Sequence, residues 1–319
     1  MSNTQHHRVI ILGSGPAGCS AAIYTARAGL NPVIIHGMQP GGQMTITHEV
    51  ENYPGYANVV EGPWLMEQFQ KQAENCGTKF VRDVITEVEL REKPFTLVGD
   101  SGTIYTCDSL IVSTGASAKW LGLEGETKFN GKGVSACATC DGAFYRGQEV
   151  VVVGGGNTAM EEAMYLSAIC KKVIMVHRRD EFRGEVVLRE RVKRTENIDI
   201  IWDSAVEEIL GTDGPLGGVT GVRLKNVKTG ETQDVNCHGF FVAIGHKPNT
   251  DIFKGQLNMD ETGYLLVDKG TVNTNIEGVF APGDVSDSVY RQAVTAAGMG
   301  CMAALDTIRY LENQADLAY

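Results

Sequence analysis

Two cysteines, Cys137 and Cys140, stand three positions apart, and Asp141 follows directly. A pair at this spacing can be half of a tetrahedral zinc site, a static disulfide or a dithiol that turns over electrons. Zinc needs four ligands, commonly two such pairs or one pair with histidines. The chain has 8 cysteines, and no second close pair is among them. A disulfide-stapled secreted domain would be much shorter and denser in cysteine. The pair therefore favours redox chemistry over metal, and no metal site is expected. The thiolate is the reactive form of such a thiol, so proton handling matters. Asp141 is placed in sequence to act as acid or base; its ordinary alternative is a turn or helix-capping residue.

A second cluster is basic: His177, Arg178, Arg179 and Arg183 lie within seven positions. The whole chain carries a formal net charge of -11. A nucleic-acid binder usually shows the opposite balance. A basic knot in an acidic chain points to one small anion. The 319 residues, 43% of them apolar, suggest about two domains and allow sizeable cores. No apolar run approaches the ~18 residues of a membrane span. The first residues are polar and lack the apolar segment of a signal peptide. A soluble cytoplasmic chain is expected.

These residues need elements to position them. An apolar run over residues 8–12 ends in Gly13, Ser14, Gly15, Pro16, Ala17 and Gly18. A helical pattern follows, Gly29 stops it, and residues 32–36 read as the next strand. In such a βαβ unit each glycine has its own task. Gly13 permits the tight turn, Gly15 lets backbone approach a pyrophosphate, and Gly18 lets helix pack on strand. The helix N-terminus then offers free N–H groups to phosphate. The pattern recurs. Residues 149–153 lead into Gly154, Gly155, Gly156, Asn157, Thr158 and Ala159, then a helix over 160–169 and a strand over 172–177. Closing strands repeat as well: residues 110–115 end in Gly115 and residues 240–245 end in Gly245. Between fingerprint and closing strand lie β-like segments at 84–90, 95–98 and 103–107, and again at 219–225 and 232–235. They predict a small antiparallel layer on a mostly parallel sheet. In the tail, a strand runs into Gly283 and Asp284, and a small-residue helix spans 291–305.

An NAD site commonly places an acid about 20 residues beyond the first glycine, on the ribose hydroxyl. The first unit has His36, Gly37 and Met38 there, with no acid. The second ends its strand in His177, Arg178 and Arg179, with Arg183 beyond. Arginine at this place accepts a 2′-phosphate through its planar fork. The second unit is therefore expected to bind NADPH. A flavin mediates between hydride donors and dithiols, so the first unit is expected to bind FAD. Gly41, Gly42, Gln43, Asn52 and Asp284 are further candidates around it.

Taken together, GSGPAG, GGQMTITHEVENYPG, STGA, SACATCDG, GGGNTAMEEA, HRRDEFR, AIGHKPN, VFAPGDV and YRQAVTAAGMGCMAA run through the whole chain. In order and spacing they resemble the low-molecular-weight, bacterial-type thioredoxin reductases. The resemblance implies an α/β fold: two tandem Rossmann-like dinucleotide-binding domains of the three-layer ββα type, the second inserted into the first. The FAD-binding domain would comprise residues 1–117 and 247–319. The NADPH-binding domain, 118–246, would carry the redox pair. FAD contacts are implied at Ser14, Gly15, Pro16 and Ala17, at His36, Gly37, Met38, Gln39, Pro40, Gly41, Gly42 and Gln43, and at Asn52. Others are implied around Gly283, Asp284 and Val285, and at Arg291, Gln292, Ala293 and Val294. NADPH contacts are implied at Gly156, Asn157, Thr158, His177, Arg178, Arg179 and Arg183.

The same resemblance implies a cytosolic homodimer that reduces thioredoxin through a Cys137–Cys140 disulfide. Cys140 would face the flavin, Cys137 would attack thioredoxin, and Asp141 would manage the proton. Ala143 stands where some relatives carry a second bulky aromatic, so the resemblance places partner choice at Ala143 and Phe144. One dithiol must meet a flavin inside and a protein outside. The connections near residues 117 and 246 are therefore expected to act as a hinge. The remaining cysteines, such as Cys19 and Cys301 on predicted helices, read as buried small hydrophobes.

Overall fold

The structure, a computed structural model, describes residues 3–47, 49–214 and 217–316. The chain forms two compact units: Met1–Ser117 with Lys247–Tyr319, and Ala118–His246.

In the first unit, strand Thr4–Leu12 pairs in parallel with Val33–Ile35 and, along its whole length, with Ile104–Val112. Helix Pro16–Arg27 makes the crossover. The period-2 alternation of the strand sends its side chains to two cores. Ile10 and Leu12 pack with Phe253 and Leu257; Val9 and Ile11 face Ala21, Ala22, Ala303 and Ala304. All four strand residues are buried, each worth about 1.5–3 kcal/mol relative to exposure. The sheet order is Lys79–Val81, Val33–Ile35, Thr4–Leu12, Ile104–Val112, Phe95–Gly99 and Ile85–Glu89.

The β-like segment 103–107 and the closing strand after it are one element, Ile104–Val112. The strand is continuous because it changes partners halfway. Ile104 to Cys107 take the antiparallel strand Phe95–Gly99, and Leu110 and Ile111 take the parallel strand Val279–Phe280. At the change, buried Ser109 donates its hydroxyl to the Gly278 carbonyl at 2.8 Å. The antiparallel strands here continue the main sheet.

The second unit keeps its layers apart. Its parallel sheet runs Ile198–Ile201, Lys172–Val176, Glu149–Val153, Gly239–Val242 and Val134–Ser135. A separate antiparallel sheet holds Ser204–Gly211, Val219–Asn226 and Thr232–Asn236. Strand Ser204–Gly211 is not legible from the sequence, because two register shifts interrupt its alternation.

The expected C-terminal helix starts later and runs further, over Ala293–Asp316. Arg291 has φ 48°, a left-handed conformation that a helix cannot include. The small residues of this helix have a reason. A Cβ on Gly300 would fall 2.1 Å from the Ala17 carbonyl oxygen, so glycine lets it meet the Pro16–Arg27 helix.

Candidate redox and nucleotide sites

Both glycine fingerprints sit against the closing strand of their own unit. Gly13 has φ +99°, and a Cβ there would meet the Ser113 carbonyl oxygen at 2.3 Å. Gly154 has φ +153°, and a Cβ there would meet the Ala243 carbonyl oxygen at 2.3 Å. Gly18 presses so closely on Gly13 that a Cβ would fall 2.0 Å from its carbonyl oxygen. Gly15 and Gly156 differ: a Cβ on either meets nothing within 4 Å. Each is the N-cap of its helix, with no side-chain cap on the first-turn N–H groups. Free donors facing an open cradle suit a pyrophosphate. Gly15→Ala is expected to fold with unchanged Tm as the apoprotein, yet to lose at least about tenfold in flavin affinity. Gly18→Ala is expected to lose stability instead. Apoprotein melting and flavin titration of both variants check this contrast.

Around the first fingerprint, buried Ser14 accepts a hydrogen bond from the Gly41 N–H at 2.8 Å. That bond holds the loop of His36, Gly37, Met38, Gln39, Pro40, Gly41, Gly42 and Gln43 beside the helix N-terminus. Within it, the Gln39 amide donates to the Gly42 carbonyl at 3.0 Å. His36 is half-buried, and burial lowers its pKa. Asn52 Nδ2 donates to Gln292 Oε1 at 3.3 Å, joining residues 240 positions apart. Gly283, at φ +82°, would place a Cβ 3.0 Å from that of Ala17, which sets Asp284 and buried Val285 near the first helix. Burial, then the charge of Asp287, pushes Asp284 up to about 6, while Arg291 opposes the rise. Ala293 begins the long helix and Val294 is partly exposed on it.

In the second unit, Gly156, Asn157, Arg183, Gly184 and Glu185 line one cleft. Two backbone latches hold its far wall. Arg183 N–H donates to the Gly155 carbonyl at 2.8 Å, and Glu185 N–H donates to Asn157 Oδ1 at 2.8 Å. Arg178, Arg179 and Arg183 are exposed, and Thr158 lies in the first turn of the helix Asn157–Ser167. His177 lies elsewhere than its three neighbours. It is buried beneath Gly155, where a Cβ would fall 2.2 Å from ring atom Cε1. The rings of Phe182 and Trp202 flank it at 5.8 and 6.2 Å. Burial, then the nearby Arg183 and Arg179 charges, lowers its pKa, which favours the neutral ring.

Cys137 and Cys140 are joined in a disulfide, with Cα atoms 5.3 Å apart. Cys137 caps the short helix Ala138–Asp141, and the N–H groups of Cys140 and Asp141 donate to its carbonyl at 3.2 and 3.1 Å. Both cysteines and Asp141 are partly exposed. The residue that sequence reasoning overlooks is Ser135. Its hydroxyl donates to Asp141 Oδ2 at 2.5 Å and accepts from the Cys137 N–H at 3.0 Å. A hydroxyl two positions before the first cysteine, at the end of a short strand, is the signal that could have found it.

Four of the other cysteines, Cys19, Cys107, Cys170 and Cys237, are buried and are not redox candidates on this geometry. Cys19, Cys170 and Cys237 are buried, and burial pushes their thiols up to about 12, 11 and 12. Cys301 departs from expectation: it is only part-buried. Its helix turns Ala303, Ala304 and Thr307 inward, which leaves Met302 and Leu305 partly exposed beside it. Among the described residues, no helix is long and apolar enough to cross a membrane.

The pyridine nucleotide-disulphide oxidoreductase family profile matches residues 7–300. The chain is 57% identical to the thioredoxin reductase of Rickettsia conorii over 306 residues, 96% of this chain and 98% of that one. It is 57% identical to that of Coxiella burnetii over 320 residues, 98% and 99% of the two chains. This chain belongs to the thioredoxin reductase family. The solved thioredoxin reductase from Giardia duodenalis shares its fold, with a TM-score of 0.91 at 45% identity over 97% of this chain and 99% of that chain. A second, from Streptococcus pyogenes MGAS5005, gives 0.90 at 39% identity, with 97% and 99% covered. As a thioredoxin reductase, the chain is an oxidoreductase of mixed α/β fold whose redox disulfide is Cys137–Cys140. Membership implies a flavin and a nicotinamide cofactor.

Proposed function

We propose that this thioredoxin reductase takes electrons from NADPH, passes them through FAD to the Cys137–Cys140 disulfide, and delivers them to oxidised thioredoxin. The observation that carries the reading is the disulfide itself, with Asp141 beside it, on the same unit as an arginine-flanked glycine fingerprint. NADPH would be held at Gly156, Asn157 and Thr158, with Arg178, Arg179 and Arg183 on its 2′-phosphate and His177 supporting the loop from beneath. FAD would be held along the first fingerprint, the loop from His36 to Gln43, Asn52, Asp284 and the residues from Arg291 to Val294. When bound, the flavin supplies two-electron transfer between a nicotinamide and a disulfide.

Cys140 would take the electrons that the flavin supplies, and Cys137 would be the thiolate that attacks the thioredoxin disulfide. A mixed disulfide forms, Cys140 resolves it, and Asp141 exchanges the proton. The connections at Ser117–Ala118 and His246–Lys247 serve as the hinge. The working form is a cytoplasmic homodimer. Support for the dimer is the exposed apolar set Tyr24, Val294, Met302 and Leu305 on two helices of the first unit.

The test is NADPH consumption by the flavin-loaded protein, with and without oxidised thioredoxin. Consumption is expected to require thioredoxin and to generate its free thiols. Equal consumption without thioredoxin, at the expense of oxygen, would overturn the reading.

A further inference from the structure

We propose that Ser135 is the positioning residue that sets the Asp141 carboxylate for proton transfer at the Cys137–Cys140 disulfide. The inference rests on the reading of Asp141 as the proton carrier and adds what holds it in place.

Ser135 is 6% exposed and ends the strand Val134–Ser135. That strand pairs in parallel with Gly239–Val242, where Ser135 lies opposite Phe241. Its backbone is therefore anchored in the parallel sheet, outside the four-residue turn that holds the sulfurs. Its single hydroxyl proton has two acceptors within reach: Asp141 Oδ2 at 2.5 Å and the Cys137 carbonyl oxygen at 3.3 Å. The shorter contact, to a charged oxygen, takes the proton. The lone pair accepts from the Cys137 N–H at 3.0 Å. One buried hydroxyl thus ties the carboxylate to the backbone of the first redox cysteine.

This arrangement suits a cycle in which a disulfide opens and closes. Reducing thioredoxin moves two electrons from the Cys137 and Cys140 thiols to its disulfide. The S–S bond of thioredoxin breaks, the Cys137–Cys140 bond forms, and the two protons lost by these thiols end on the two thioredoxin thiols. Asp141 carries one of those protons. Each turn makes and breaks the bond that holds the sulfurs together, so the disulfide cannot fix the carboxylate throughout the cycle. Ser135 neither titrates in the working range nor takes part in the exchange. It therefore keeps the carboxylate aimed in both redox states.

The competing role for Ser135 is purely structural, satisfying the part-buried Cys137 N–H. A double-mutant cycle separates the two. Ser135→Ala, Asp141→Asn, the pair together and Ser135→Thr are each compared for flavin reduction by NADPH and for steady-state thioredoxin reduction. Flavin reduction serves as the check that each variant is folded and loaded. Ser135→Ala is expected to lower kcat for thioredoxin about tenfold with KM nearly unchanged, and Asp141→Asn about a hundredfold, within the usual range for acid–base groups. Ser135→Thr, which keeps the hydroxyl, restores most of the rate. Adding Ser135→Ala to Asp141→Asn costs little more. If Ser135→Ala keeps kcat within twofold while Asp141→Asn is impaired, Ser135 has no positioning role and the Asp141 reading survives. If the two losses add in full, the serine acts on the turn alone and the proposal fails. If Asp141→Asn turns over normally, the proton role falls and the proposal with it, while thioredoxin reduction by the unaltered protein stands on its own assay.

Discussion

Replacing either Cys137 or Cys140 by serine is expected to remove thioredoxin reduction, by at least about a thousandfold, while NADPH still reduces the flavin. The two losses differ in kind. In Cys140→Ser the remaining Cys137 thiol attacks thioredoxin and nothing resolves the product, so a covalent complex accumulates. In Cys137→Ser no such complex forms. The geometry supports clean variants. The helix Ala138–Asp141 is held by N–H groups of residues 140 and 141 on the Cys137 carbonyl, and these bonds do not involve sulfur. Of the six other cysteines, Cys19, Cys170 and Cys237 are buried with thiols pushed to about 11 or 12, so these three cannot substitute through thiolate chemistry. Stopped-flow flavin absorbance, thioredoxin turnover and a non-reducing gel read the three outcomes. Normal turnover in either variant would remove the dithiol from the pathway.

Converting Arg178 and Arg179 to alanine together is expected to weaken NADPH by roughly a hundredfold and NADH by less than about threefold. Two charge-assisted contacts to a 2′-phosphate, each worth about 1.5–3 kcal/mol in full, leave room for that loss after solvent screening. The structure makes the arginines available for this task. They are exposed, and the neighbouring acid Asp180 is engaged by Lys228 at 3.2 Å. The loop that carries them is set by burial of His177 under Gly155 and by the Arg183-to-Gly155 backbone bond. The variant therefore removes charge and leaves the cleft's frame in place. KM for the two nicotinamides, measured side by side at two salt concentrations, decides the matter. Equal losses for both would rule out recognition of the 2′-phosphate.

Local chemistry accounts for what could be read along the chain. Each glycine fingerprint is a contiguous stretch, and Gly13, Gly18 and Gly154 are demanded by backbone approach distances that no side chain permits. The spacing of Cys137 and Cys140 likewise allows a disulfide whatever surrounds it. The cluster of Arg178, Arg179 and Arg183 stands out because the chain as a whole is acidic, at a formal net charge of -11. The short apolar runs at residues 8–12 and 172–176 were also visible, and they lie in the strands Thr4–Leu12 and Lys172–Val176.

Tertiary structure decided what depends on partners distant in sequence. Ile104–Val112 became one strand because it meets Phe95–Gly99 on one half and Val279–Phe280 on the other, and the second partner lies far along the chain. His177 could not be told from its arginine neighbours until packing put it beneath Gly155. Cys301 and Cys19 looked alike until the helix faces were set. Ser135 is the sharpest case. In sequence it is a small polar residue beside a cysteine motif. Only the pairing of its strand with Gly239–Val242 buries the hydroxyl and aims it at Asp141. The identity of the reactive groups is thus written in neighbouring residues, while their aim depends on contacts that only folding brings together.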